Sequence, residues 1–292
     1  MDQGSAAADR DSVVVTGLGD ALSTPCDPAP YLRNHKLRKY MGAQDDLAVV
    51  AAGRALEAAG LLGASPSERT GLYLAVGYIP FDAEDIDELH AESVEDGRFS
   101  MRRFSTDAYP AANPLLAFRC LPNMPAFHVS VNFDVQGPYF VTYPGPGQLY
   151  LALEAAAAAL DDGTIDVALV GGIAHQRNFL VSHHFHRLDP PVAAERLADG
   201  AGCLVLETTT HARLRGAPVR GRLLALNIVY DPHDPFRDPF PPGEWMDDKT
   251  NPDEERGAAS LPIALARLGP GRYQHRVVTR DGIEASSTWE LR

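Results

Sequence analysis

Basic charge, cysteine, tryptophan and long apolar runs are all scarce in this chain, and several of these scarcities remove a class of function. Lysine and arginine number 26 against 39 aspartates and glutamates, a formal net charge of -13. That balance repels a phosphate backbone and an anionic lipid surface alike, so neither nucleic acid nor a membrane is an expected partner. The three cysteines, Cys26, Cys120 and Cys203, stand far apart and match neither a disulfide framework nor a metal-ligand spacing. Each is expected as a small buried hydrophobe, and no metal or other cofactor is expected. No apolar run approaches the roughly 20 residues that a bilayer-spanning helix needs. The opening residues MDQGSAAADRDS lack the basic start and apolar stretch of a secretion signal. Residues 1–11 therefore read as a frayed tail, and the expected location is the cytoplasm.

What is present is an alternation of short β-branched runs and alanine-rich periodic segments. SVVVTGLGDAL (Ser12 to Leu22), TGLYLAVGY (Thr70 to Tyr78), IDVALVGGIA (Ile165 to Ala174) and GCLVLETT (Gly202 to Thr209) read as buried strands. DDLAVVAAGRALEAAGLL (Asp45 to Leu62) places Leu47, Val50, Ala51, Leu56 and Ala59 near helical spacing, with acids at its start and Gly60 near its end. LYLALEAAAAALDDG puts Leu149, Ala152, Leu153, Ala156 and Leu160 on one face of a second helix, small enough to let neighbours approach closely. PAFHVSVNFDVQGPYFVTY reads as two extended runs broken at Gln136 and Gly137, so a long sheet strand is expected from Phe127 to Tyr143. The pattern is that of a layered α/β fold in one domain over 12–292, its regular core at 12–209. The part at 210–292 carries a further strand, a Pro/Asp-rich surface loop at 231–257, a short apolar helix and a closing hairpin with Asp281-Gly282 at its turn.

VVVTGLG, KLRKYMGAQDDLAVVAAGRAL, NMPAFHVSVNFDVQGP, DVALVGG and DGAGCLVLE occur in the order in which similar segments occur in β-ketoacyl synthases of the thiolase superfamily. The chain resembles that family from about Ser12 to Asp231, with a shortened second half beyond. The resemblance implies a thiolase-like layered fold: the N-terminal ketosynthase half with a reduced second half. In the family the nucleophilic cysteine follows a Gly-Pro by eight residues; counted from Gly137-Pro138, that position holds Pro146. Slips of one or two residues give Pro144, Gly145, Gly147 or Gln148, none of them a nucleophile. Proline offers neither a thiolate nor an amide N–H for an oxyanion, and the family's two histidine motifs are absent. The expected catalytic set is therefore empty.

One group within the superfamily fits a missing nucleophile: chain-length factors, which pair with an active ketosynthase in type II polyketide systems. The expectation is a non-catalytic subunit that forms a heterodimer with a ketosynthase, meets the acyl carrier protein mainly through that partner, and shapes the acyl tunnel. The family dimerises through the strand before the nucleophile, so Phe118, Leu121, Met124, Phe127, Phe133, Tyr139 and Tyr143 become tunnel and interface candidates, with ordinary core packing as the bland alternative. The acidic stretch from Asp82 to Asp96 reads as a solvated face; Glu92 and Glu95 are its acid–base candidates if the chain is instead a free-standing homodimeric enzyme reusing the pocket. Arg33, Lys36, Arg38 and Lys39 form the surface on which an acidic carrier protein would land. His175, His183, His184 and His186 read as surface or hydrogen-bonded histidines and not as a metal site.

Overall fold

The computed structural model describes residues 11–22, 26–64, 67–78, 83–187, 191–231, 244–245, 254–279 and 282–292. The expected tail (but for Asp11), most of the 231–257 loop, Asp82 and Asp281 lie outside them. The first element is β1 (Val13–Ala21), whose Val15 packs on the α7 side while Gly17 and Gly19 let the backbone of α1 approach. A 3-10 segment (His35–Tyr40) and α1 (Ala43–Ala58) follow. The second strand is β2 (Thr70–Val76), buried at every position as a strand covered on both faces must be. An excursion of short pieces comes next: α2 (Ala83–Ser93), a hairpin of β3 (Val94–Glu95) and β4 (Arg98–Phe99), α3 (Met101–Arg103), a π turn at Phe104–Ala108, α4 (Tyr109–Ala111) and α5 (Leu116–Cys120). The chain re-enters the body at α6 (Met124–Phe133), β5 (Tyr139–Thr142), α7 (Pro146–Asp161), β6 (Val167–Ala174) and α8 (Phe179–His186). It closes with β7 (Gly200–Thr208), α9 (Thr209–Leu214), β8 (Gly221–Tyr230), β9 (Glu244–Trp245), α10 (Ser260–Arg267), β10 (Gly271–Val278) and β11 (Ile283–Leu291).

Nine of these strands form one mixed sheet in the order β5-β2-β6-β7-β1-β8-β11-β10-β9. The β5–β2 and β2–β6 pairs are parallel and the remaining pairs antiparallel. Alternate side chains of the central strands feed two cores. Leu72, Leu74, Val167, Leu169 and Val205 face α1 and α6, while Tyr73, Ala75, Ala168, Val170 and Leu204 face α7. The sheet continues through β8, β11 and β10 around the far side of α7, where Val277, Ile283, Ala285 and Trp289 meet Leu149, Tyr150 and Leu153. The alanine-rich helix is approached closely on the face of Ala152, Leu153 and Ala156, while Glu154 and Ala158 are exposed. Elsewhere in the sheet, a Cβ on Gly172 of β6 would stand 1.9 Å from the carbonyl oxygen of Ala258, just before α10.

One expectation needs correction. The run from Phe127 to Tyr143 is not one long strand. Its first part is α6, wound so that Pro125, Ala126, Val129, Asn132 and Phe133 are buried against α1, with Pro125 in the first turn and Asp134 ending it at φ 57°. The alternation of Phe127, Val129, Val131 and Phe133 resembles a strand, but helical spacing matched to a neighbouring helix decides the state. Only Tyr139–Thr142 pair as β5, at the edge of the sheet.

Among the described residues no helix is long and apolar enough to cross a membrane.

Candidate functional site

The geometry with most chemical potential lies where β5 turns into α7. Leu72 N–H donates to the Pro138 carbonyl at 2.9 Å, setting β5 against β2. Gly145 takes φ 101°, a left-handed conformation that a side chain would strain, and Pro146 opens the helix. A proline at the first helical position loses nothing, because that N–H has no partner within the helix anyway. Thr142 Oγ1 donates to the Gln148 carbonyl at 3.0 Å and ties the strand to the first turn. Pro146 and Gly147 are both buried, and a Cβ on Gly147 would press on Thr279 at 2.8 Å.

The space in front of this helix start is nearly filled. A crevice of about 10 Å3 remains between Gly77, Tyr78, Pro146, Gln176, Phe185 and Glu255. That is about the volume needed to hold one water. Tyr78 Oη lies 3.2 Å from His184 Nε2, and burial raises its pKa. The Tyr143 ring stands edge-on to it with centroids 6.1 Å apart. Glu255 is buried; its Oε1 accepts the Gly257 N–H at 2.7 Å, and its backbone is bridged to Arg196 and Ala198. Sequence reading missed Tyr78, Gln176 and Glu255. Glu255 lies at the end of the Pro/Asp-rich stretch expected as a surface loop, yet it and Arg256 are buried, and only the fold brings Glu255 to Pro146.

A second polar group, also unforeseen, lies on the far side of α7. The Tyr150 hydroxyl is 2.7 Å from His275 Nδ1 and 3.0 Å from Ser287 Oγ, which also accepts from Trp289 Nε1 at 2.8 Å. All four side chains are buried, and burial pushes the His275 pKa down to about 3. This network fastens the closing hairpin to α7.

The tunnel and interface candidates divide. Met124 and Phe133 are buried, Phe133 edge-on to Tyr31 with centroids 6.3 Å apart. Phe118, Leu121, Phe127, Tyr139 and Tyr143 are exposed, Tyr139 by 73%. Phe118 stands edge-on to Tyr40. Phe127 and Tyr139 come together with Leu72, Ala126 and Val135 around an open groove of about 320 Å3 beside the edge of β5. Glu92 and Glu95 are apart from both places, in surface ion pairs with Arg103 at 3.5 Å and Arg102 at 2.6 Å.

Arg33, Lys36, Arg38 and Lys39 are all exposed; Arg33 stands beside Asp134 at 3.5 Å and Arg38 reaches Asp46 at 2.8 Å. His183, His184 and His186 lie in α8; His175 is buried, its Nε2 3.7 Å from Asp199. No group of three metal-binding side chains gathers among the described residues. Cys203 is buried and Cys26 half-buried, both as free thiols.

The family description "Beta-ketoacyl synthase, N-terminal domain" matches residues 14–212. Nodulation protein E of Rhizobium leguminosarum bv. trifolii is 28% identical over 238 residues, 76% of this chain and 56% of that protein, so the chain spans little more than half the length of this relative. Among solved structures, a type II polyketide-synthase acyl carrier protein in complex with its ketosynthase bound to the hexaketide superposes with TM-score 0.71 at 16% identity, over 97% of this chain and 100% of that one. The ishigamide ketosynthase/chain length factor gives TM-score 0.60 at 21% identity, over 79% of this chain and 66% of that one.

Proposed function

The chain belongs to the β-ketoacyl synthase family, and from that premise we propose that it is a non-condensing, chain-length-factor-like subunit that partners an active ketosynthase in type II polyketide biosynthesis. The observation that carries this reading is the start of α7. Pro146 is buried there at the place we assign to the nucleophile, in front of a crevice of about 10 Å3. Among the described residues, neither a thiol nor room for an acyl chain stands at the head of α7. What the subunit offers lies on its outside: the edge of β5, without a second strand partner among the described residues, and the groove between Phe127 and Tyr139. An exposed apolar strand edge is an aggregation hazard unless a partner covers it. With a ketosynthase seated on that edge, Phe118, Leu121, Phe127 and Tyr143 would line the shared end of the acyl tunnel. The acyl carrier protein would meet the partner first, with Arg33, Lys36 and Lys39 as this subunit's share of the landing surface. Two superposing structures support the class, one a ketosynthase with its carrier protein and the other a ketosynthase/chain length factor.

Co-expression with the ketosynthase encoded nearby, followed by size exclusion with light scattering and a product-length assay, tests the reading. A one-to-one complex whose products lengthen with Phe118→Ala or Phe127→Ala supports it; a stable homodimer that ignores the ketosynthase overturns it.

Glu255 favours a second reading, a free-standing homodimeric enzyme that reuses the old pocket for non-condensing acid–base chemistry. It is a buried carboxylate in the crevice beside Pro146, where Glu92 and Glu95 are not. A homodimer that turns over an acyl thioester without a ketosynthase, and loses that turnover with Glu255→Gln, would establish it.

A further inference from the structure

The crevice before Pro146 is closed on one side by a strap, residues 254–259, that leads into α10. The strap crosses the carboxyl ends of the parallel strands β2 and β6 and passes the first turn of α7, the place where open α/β sheets take up ligands. It lies in a trough with few side chains, formed by Gly77 and Ala174 at the strand ends and Gly145 before the helix. At Gly172 of β6 the fit is exclusive: an added Cβ would stand 1.9 Å from the Ala258 carbonyl oxygen and 2.5 Å from its carbonyl carbon, both strap atoms. Two anchors hold the strap in place. Glu255 forms a parallel bridge with Leu197, its N–H donating to the Arg196 carbonyl at 2.6 Å and its carbonyl accepting from the Ala198 N–H at 2.9 Å. The buried Arg256 guanidinium donates to the carbonyls of Leu22, at 3.2 Å, and of Asp199, and pairs with Glu254.

We propose that residues 254–259 are an autoinhibitory plug: the strap, more than the missing thiol, keeps a linear acyl or amide chain out of the cleft at the head of α7, and displacing it opens a site for such a chain. Cysteine is no larger than proline, so a thiol at position 146 would face a crevice as narrow as the present one. The occupant on view is itself a linear chain, extended at Glu255, and a trough floored by backbone has no recess for a broader one. The plug is a property of this chain alone, so absence of a ketosynthase complex would leave it standing.

Pro146→Cys supplies the reporter. A thiol in the first turn of a helix has a lowered pKa and reacts readily once a reagent reaches it, so its alkylation by iodoacetamide, located by peptide mass spectrometry, reads access to the cleft. Alkylation should be slow in Pro146→Cys alone. Adding Gly172→Ala drives a methyl group into the strap and should speed alkylation by about a hundredfold. N-decyliodoacetamide, a linear chain, should gain with it. Gly171→Ala is the control: its methyl would meet Cys203 and Leu74, on the opposite face of β6, and stress the core without touching the strap. Alkylation in that background should stay within about threefold of Pro146→Cys alone. Fast alkylation of Pro146→Cys alone, no gain with Gly172→Ala, an equal gain with Gly171→Ala, or a gain confined to the small reagent overturns the proposal. Should Gly172→Ala fail to fold, Arg256→Gln releases the strap instead: fast alkylation together with fast hydrogen exchange of the Gly257 and Ala259 amides supports the plug, and any other result overturns it.

Discussion

The two ends of the β5–α7 unit behave in opposite ways. At the start of α7 the backbone is held by a left-handed glycine and a buried proline, beside a water-sized crevice among the described residues. Along β5 and α6, a few residues earlier in the chain, aromatic side chains stand in solvent around an open groove of about 320 Å3. The interior end spends its residues on packing and the exterior end leaves them unpaired.

The largest effect that would sharpen the contrast is inside. Leu153→Ala, at a fully buried position of α7, should cost about 2–5 kcal/mol in urea denaturation, because the enclosing strands cannot close the cavity. Tyr139→Asp, at the exposed edge, should weaken assembly with the ketosynthase by one to two orders of magnitude in light scattering while changing the urea midpoint little. Reversal of these two outcomes would break the comparison.

Acid should separate the regions too, with a sign set by burial. His128 and His275 have native pKa values near 4 and 3, below the unfolded value near 6.5. Both are neutral in either state above pH 6.5; below it the unfolded chain binds protons that the native one refuses, so stability falls with pH until the native values are reached. His128→Leu should flatten that fall by about 1.4 kcal/mol per pH unit between 6 and 4.5, read from urea melts across pH. Asp46 acts against it. Its raised pKa makes its contribution largest in acid and lost as pH rises through about 6.

The smallest effect concerns Pro146→Cys. Restoring a thiol should leave condensing activity at background in a radiolabelled malonyl-thioester assay, since the crevice has no room for an acyl chain. Measurable condensation would show that the crevice opens when the partner is bound.

Much of the frame was legible from residue order. The β-branched runs that became β1, β2, β6 and β7, and the periodic stretches that became α1 and α7, carry their own signal, since burial on one or both faces writes itself as spacing. The edge aromatics were legible as candidates but not their division, because Phe133 and Phe127 differ only in which side of α6 they occupy. The strand expected at Phe127–Phe133 failed for a related reason: its alternation of aromatic and β-branched residues is compatible with either state, and packing against α1 selects the helix.

By itself the sequence determined that a proline, and no thiol, stands near the head of α7, and that the chain carries a formal net charge of -13. These are properties of residue identity and survive any fold. Only the tertiary structure decided that Glu255 and Tyr78 face Pro146, that His275 and Tyr150 join across α7, and that Asp46 is buried beneath Arg38. Except for Arg38 and Asp46, those partners are distant in the chain, and such meetings are set by how the sheet curls around its central helix; spacing along the chain carries no record of them.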